Sequence, residues 1–297
     1  MGQVIVDTLI RGSELALLAA GLTLVFGVVS FANIAQVEFA TLGAYGTLLA
    51  GSVVGAGLIA DSVIAIVAVG ALAVLLYRTV FARLLRSSPA MAMIGSLAVS
   101  IVLRALIQTI TGPDPKELDT PLERGIDIAG ALVTPTQIRL VVIAVCALVA
   151  LMALLRLTPL GRAIRAVAAN PELAEAAGID RRRTTDIAWF ASGALGALAG
   201  VLLALDTQVG LNMGFNLLLP VFAAAILGGL GSVGGAVVAA YALALVENAV
   251  LKIDFGSIFG GSWFVPIDYR AAIGFIALVL VLVTRPQGLF GREARRA

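Results

Sequence analysis

The chain has 297 residues, 60% of them apolar and only 13% charged, with a net charge of +2. A soluble domain runs at about 45–50% apolar and about 25% charged, so this chain could not cover a water-facing surface. Soluble globular, disordered and disulfide-stapled secreted folds are excluded, and a polytopic membrane protein remains.

Residue types narrow the chemistry. There is no histidine, hence no histidine-based metal site, triad or pH switch. The one cysteine, Cys146, lies in an apolar run and reads as a small packing residue. Neither of the two lysines, Lys116 and Lys252, stands in a phosphate-binding G-x-x-x-x-G-K-[ST] loop. The small net charge does not suggest nucleic acid.

A spanning helix needs about 20 mostly apolar residues. Uncharged runs cover Leu15 to Val37, Phe39 to Ala60 and Ser62 to Tyr77, the last ending in Arg78, Arg83 and Arg86. Ser87 to Leu103 is a fourth run, extending past Arg104 to Ile110. Thr111 to Pro135, with Pro113, Pro115, Pro121 and several acids, reads as a polar loop. Leu140 to Leu155 and Ile187 to Leu205 are the fifth and sixth runs. Thr207 to Val246 carries no charge and is long enough for two spans, with the glycine cluster 228–235 marking the turn between them. Lys252 to Asp268 is a second polar loop, and Ala271 to Thr284 a last span. The expectation is one all-α domain, residues 1–297, with eight to nine transmembrane helices.

Thirteen of the twenty basic residues fall in three clusters, around Arg78–Arg86, Arg156–Arg183 and Arg285–Arg296. Even numbers of spans separate them, so all three fit the cytoplasmic side under the positive-inside rule. The loop 111–135 and the N-terminus then face outside. Asp7, Arg11 and Glu14 stand where a signal peptide needs its apolar core, which argues against cleavage.

The loop 157–186 is the most informative segment. Thr158 can cap a helix with Pro159 at its first position. Leu160, Ile164 and Val167 then form an apolar stripe, with Arg162 and Arg165 on another face. Asn170, Pro171 and Glu172 repeat the start signal, and Gly178 supplies a left-handed stop. Such short helices are unstable alone and must dock on something. A plain basic loop obeying the positive-inside rule is the blander reading, but it does not require caps at both ends. The pairs Gly196/Gly200 and Gly231/Gly235 have the spacing of close helix contacts, which ordinary packing within the bundle explains.

The segments Thr158-Pro159-Leu160-Gly161-Arg162-Ala163-Ile164-Arg165-Ala166, Asn170-Pro171-Glu172 and Gly178-Ile179 resemble the ATPase-docking loop of ABC importer permeases. The similarity is greatest to the LivH-type branched-chain amino acid permease family. Gly21-Leu22-Thr23-Leu24-Val25-Phe26-Gly27 with Asn33-Ile34-Ala35 resembles that family's first helix. The glycine hairpin from Leu227 to Gly235 and the segment Arg285-Pro286-Gln287-Gly288-Leu289-Phe290-Gly291 resemble two further signatures. One departure stands out. After Asn33 the family usually shows Phe-Ala-His-Gly, where this chain reads Ile34-Ala35-Gln36-Val37 before Glu38.

The resemblance implies a multi-pass permease subunit of an ATP-driven importer in a bacterial-type inner membrane, with the docking loop and C-terminus cytoplasmic. It implies a second, homologous permease, an external solute-binding protein and two cytoplasmic ATPases. ATP and Mg would be held on those ATPases, with no cofactor on this chain and no enzyme activity of its own. Thr158, Pro159, Gly161, Arg162, Asn170, Pro171, Glu172 and Gly178 would couple ATP hydrolysis to transport. Polar residues inside a bilayer are costly and tend to mark function. On that ground Asn33, Gln36, Glu38, Asn212, Asn216, Glu247 and Asn248 are candidates for the pathway, with Arg104, Asp206 and Gln208 nearby. Each has a bland reading as an interfacial, capping or helix-pairing group. Alternatives are a permease for urea or a short amide, and an ion-coupled transporter working without ATP.

Overall fold

The computed structural model describes residues 2–118, 123–128, 130–253, 266 and 269–284. The C-terminal signature 285–291 and the third basic cluster lie outside the described residues, as does most of the second polar loop.

The first helix, α1 (Gly2–Val29), starts well before the apolar run and is almost wholly buried over its second half. It ends at Ser30, which takes a left-handed φ of 56°. A short 3₁₀ turn (Ile34–Val37) leads straight into α2 (Glu38–Val53), only sixteen residues long. Next come α3 (Leu58–Leu76), a π-turn (Tyr77–Phe81) and the short α4 (Ala82–Leu84), which together run as one 27-residue rod. Ser88 accepts from the Met91 N–H and Pro89 opens α5 (Pro89–Thr111).

The polar loop is not all coil. β1 (Ile126–Ile128) and β2 (Ala131–Val133) form a small antiparallel hairpin, Ile126 opposite Val133. Thr134 and Gln137 then close a reciprocal capping box on α6 (Pro135–Leu157). After the amphipathic α7 (Pro159–Ala169) and α8 (Pro171–Ala176) comes α9 (Arg181–Asp206), the second most buried long helix. A 3₁₀ turn (Phe215–Leu217) opens α10 (Leu218–Gly228), α11 spans Val233–Lys252, and α12 spans Arg270–Thr284.

Among the described residues, six helices are long and apolar enough to span a membrane: α1, the α3–α4 rod, α5, α6, α9 and α11. The expected count of eight to nine spans is not confirmed among the described residues, for a physical reason. The run at 39–60 yields α2 and a turn, and the first half of the stretch from 207 to 246 yields an irregular segment and the eleven-residue α10. Hydropathy records that these segments are apolar, but not that the helix is broken within them. The glycine turn is where it was expected, with Gly229 and Gly231 at φ near +90°.

α1 and α9 form the core against α11, α2 and α3. Glycines set the closest approaches: a Cβ on Gly200 would strike the Ala40 backbone, on Gly43 that of Ala197, and on Gly235 the Gly228 carbonyl. These glycines therefore serve packing within the chain. The two ends of the bundle are distinct. At one, the Gln3 amide oxygen accepts from the Leu132 N–H, and Lys252 pairs with Asp7, so the N-terminus lies beside the hairpin. At the other, Arg78 pairs with Asp186 at 2.5 Å and brings the first two basic clusters together.

Candidate functional site

Three places gather the polar and exposed side chains. The first is the coupling loop. The Thr158 hydroxyl accepts from the Gly161 N–H at 3.1 Å, and the Asn170 side-chain oxygen from the Leu173 N–H at 3.0 Å. Gly178 stops the second helix with φ +84°. Gly161 is needed for another reason: a Cβ there would collide with the carbonyls of Leu154 and Leu155, so α7 can fold tightly under α6. Ile164, Val167 and Ala174 are buried in the main core. Leu160 shares their face by spacing but, in the first turn of α7, is 45% exposed, while Gly161 beside it is buried. Leu157, Leu160 and Leu173 thus stand outward as apolar side chains on a basic loop, with Arg162, Asn170 and Glu172 also exposed.

The second place is inside the bundle, where two breaks meet. Asn33, Gln36 and Glu38 are fully buried. Gln36 accepts from the Ser192 hydroxyl at 2.7 Å and donates to the Ser192 carbonyl at 3.1 Å, near the middle of α9. A Cβ on Gly21 would touch the Gln36 amide nitrogen. The Gln36 motif therefore lies within the bundle, packed against the middle of α1 and α9. The chain doubles back at Ser30, and irregular backbone at membrane depth is stable because protein surrounds it. Glu38 accepts from Ser100 at 2.9 Å, from Thr41 at 3.2 Å and from Arg104, its ion-pair partner. Ser96, Ser100 and Arg104 are spaced four apart on one face of α5 and line this seam, Ser96 accepting from the Ile34 N–H. The second break, before α10, rests on the same spot. The Gly214 N–H donates to Thr41 at 3.2 Å, and the Arg104 guanidinium lies 4.3 Å over the Phe215 ring. Below it, Phe31, Tyr77, Phe81 and Trp189 stack with centroids 5.1–6.1 Å apart and brace the turn at Ser30.

The third place is the hairpin end. A cavity of about 530 Å³ is lined by Arg11, Gln208, Asn212, Asn216 and Leu217, among others. Lys116 and Val209 exchange both backbone hydrogen bonds across its rim, at 2.9 and 2.7 Å. Nearby, Arg139 bonds Glu123 and holds that carboxyl below its usual range. A smaller cavity of about 200 Å³ touches Arg11, Glu14, Asp206, Asn248 and Arg270. Glu247 sits behind it, fully buried, with Arg11 at 3.6 Å.

Comparison with known sequences decides the family. A family profile described as the permease component of branched-chain amino acid transport systems matches residues 4–283. The chain belongs to the branched-chain amino acid permease family. The Pseudomonas aeruginosa high-affinity branched-chain amino acid permease BraD is 27% identical, over 98% of this chain and 95% of its own length. The Escherichia coli permease LivH is 28% identical over 95% and 92%, and a probable LivH from Methanocaldococcus jannaschii 28% over 99% and 94%. An inward-facing metal-chelate type ABC transporter superposes with a TM-score of 0.51 at 17% identity, covering 95% of this chain and 85% of that one. That likeness shows the fold only. As a member of this family the chain is a multi-pass membrane component of a transport system and not an enzyme.

The candidate residues of this permease separate into groups. Asn33, Gln36 and Glu38 come together at the crossing, Asn212 and Asn216 on the wall of the larger cavity, and Glu247 with Asn248 in the charged cluster at the same end. Sequence reasoning missed Arg11 and Arg270 there. It also missed Ser96, Ser100 and Thr41 around Glu38. The i, i+4, i+8 spacing of Ser96, Ser100 and Arg104 was the available signal.

Proposed function

We propose that this permease is one of two membrane subunits of an ATP-driven importer for branched-chain or similar aliphatic amino acids. An external binding protein delivers substrate to the hairpin end, and two cytoplasmic ATPases, which hold the ATP and Mg, dock on the loop 157–186. The observation that carries this reading is the anchored, capped coupling loop in a chain of this family. Its α8 is too short to hold itself together, yet caps fix both its ends, and α7 is rooted in the core through Ile164 and Val167. A push on the exposed Leu173 face would reach α1, α6 and α9 without being absorbed by a flexible loop.

Alternating access then needs an element with two discrete arrangements. The paired breaks at Asn33–Glu38 and Gly214–Leu217 supply one, since half-helices can tilt while α1 and α9 stay whole. Arg104 ties the two breaks together, through Glu38 on one side and Phe215 on the other. The positive-inside rule places the coupling-loop end in the cytoplasm, which puts the N-terminus and hairpin outside.

The test is uptake by the chain reconstituted with its partner permease, its ATPases and a binding protein. Leucine uptake that needs both ATP and binding protein is expected. Uptake of urea or a short amide in its place would transfer the reading to that substrate, and uptake without ATP would favour an ion-coupled carrier.

A further inference from the structure

Eleven buried side-chain polar atoms lack a hydrogen-bond partner among the described residues, and five of them sit on just Arg11, Glu247, Asn248 and Arg270. Buried polar groups are ordinarily paired, so such a gathering marks a place built to meet something else. Glu247 is 0% exposed and Asn248 3%. Arg270 donates to the Asn248 side-chain oxygen at 3.1 Å, which leaves the Asn248 amide nitrogen and the Arg270 Nε free. Arg11 Nε stands 3.6 Å from Glu247, close enough for attraction but too far for a hydrogen bond. α12 passes close by, for a Cβ on Gly274 would meet the Glu247 carboxyl at 2.8 Å. The unused groups are thus three donors, on Arg11, Asn248 and Arg270, and one carboxyl. Arg11, Asn248 and Arg270 line the smaller cavity together with the carboxyls of Glu14, which Arg11 bonds at 3.4 Å, and Asp206, which accepts from Gln137 at 3.1 Å.

Arg11, Leu203 and Thr207 also line the larger cavity, so the two spaces adjoin. Beyond them its wall carries Leu211, Met213 and Leu217. We infer that this chamber is a binding station on the permease itself for a zwitterionic α-amino acid with an aliphatic side chain. The carboxylate lies against the unpartnered donors of Asn248 and Arg270, the ammonium against the carboxyls of Glu14 and Asp206, and the side chain along the leucines. A site with paired opposite charges and an apolar extension selects for all three features, because a ligand lacking one charge leaves buried groups unpaired. Selectivity is then checked a second time after the binding protein lets go. This inference rests on the importer reading above.

The direct test is binding of radiolabelled L-leucine to the permease–ATPase assembly in nanodiscs, with no binding protein present. Saturable binding is expected. Isovalerate, which lacks the ammonium, and isoamylamine, which lacks the carboxylate, should displace it at least tenfold more weakly than leucine. Arg270→Gln should weaken leucine binding at least tenfold. Should that variant fail to fold, a single cysteine placed by L211C in a C146S background reads the same site, and leucine should slow its alkylation. Absence of saturable binding, equal displacement by isovalerate, or no protection of Leu211→Cys, with ATP-driven leucine uptake intact, overturns the station and leaves the importer standing. Loss of uptake by the wild-type assembly overturns the importer reading instead.

Discussion

Glu38 survives in an apolar bundle because every direction around it is answered: Ser100, Thr41 and Arg104 all donate to its two oxygens. Removing one partner of a buried ion pair leaves an uncompensated charge, at a cost of about 3–5 kcal/mol. Arg104→Ala should therefore lower the melting temperature of the purified permease sharply and reduce uptake. Glu38→Gln combined with Arg104→Gln should regain most of the melting temperature, since no charge is then stranded; a double variant as unstable as the single one would contradict this account of the pair. Glu247 behaves differently, because its two oxygens have no hydrogen bond to lose and its ion-pair partner Arg11 keeps a bond to Glu14. Glu247→Ala should lower uptake while membrane abundance, read by immunoblot, stays unchanged. Gly178 acts through its backbone alone. With φ +84° and no atom within reach of a Cβ, it is held by conformation, not by crowding. A β-branched residue resists that conformation, so Gly178→Val should uncouple ATP hydrolysis from transport, and a variant with normal transport would remove Gly178 from the coupling role.

At the scale of elements, the capped helices of the coupling loop were legible because their signals are local. Thr158-Pro159 and Asn170-Pro171 carry cap and first turn within adjacent residues, and the structure returns both caps. Loss of such a cap costs about 1 kcal/mol, enough to loosen a helix of six residues; Asn170→Ala should lower the uptake obtained per ATP hydrolysed while leaving the melting temperature of the bundle almost unmoved. The broken helices were not legible. No proline or glycine punctuates residues 30–37, and the turn is made by Ser30, whose strained φ is held by the aromatic stack of Phe31 on Phe81 and Trp189. A hydropathy window sees the same apolar run whether the chain passes through or doubles back. The candidate site was half legible for the same reason: acids and amides stand out in an apolar sequence, whereas Ser96, Ser100 and Thr41 look like ordinary helix residues until the fold turns them toward Glu38. Arg270 is the first residue of its helix, and Arg11 lies ahead of the uncharged run from Leu15, so neither charge stands out within an apolar run.

For the whole molecule, the two ends of the bundle divide the labour. The coupling loop, with α7 rooted in the core, belongs to one end. The chamber around Arg11 and the hairpin belong to the other, and the crossing of Gln36, Glu38 and Phe215 lies between them. A force applied at the coupling loop can reach the chamber along α1, which carries Arg11, and α9, which ends at Asp206, and the central claim is that transport here is driven by ATP through that loop. The most direct measurement is leucine uptake into proteoliposomes holding this permease with its partner permease and ATPases, with binding protein outside and ATP inside, each left out in turn. The account predicts uptake only when binding protein and ATP are present on opposite faces of the membrane. Uptake that proceeds without ATP, or that follows an ion gradient, would contradict it.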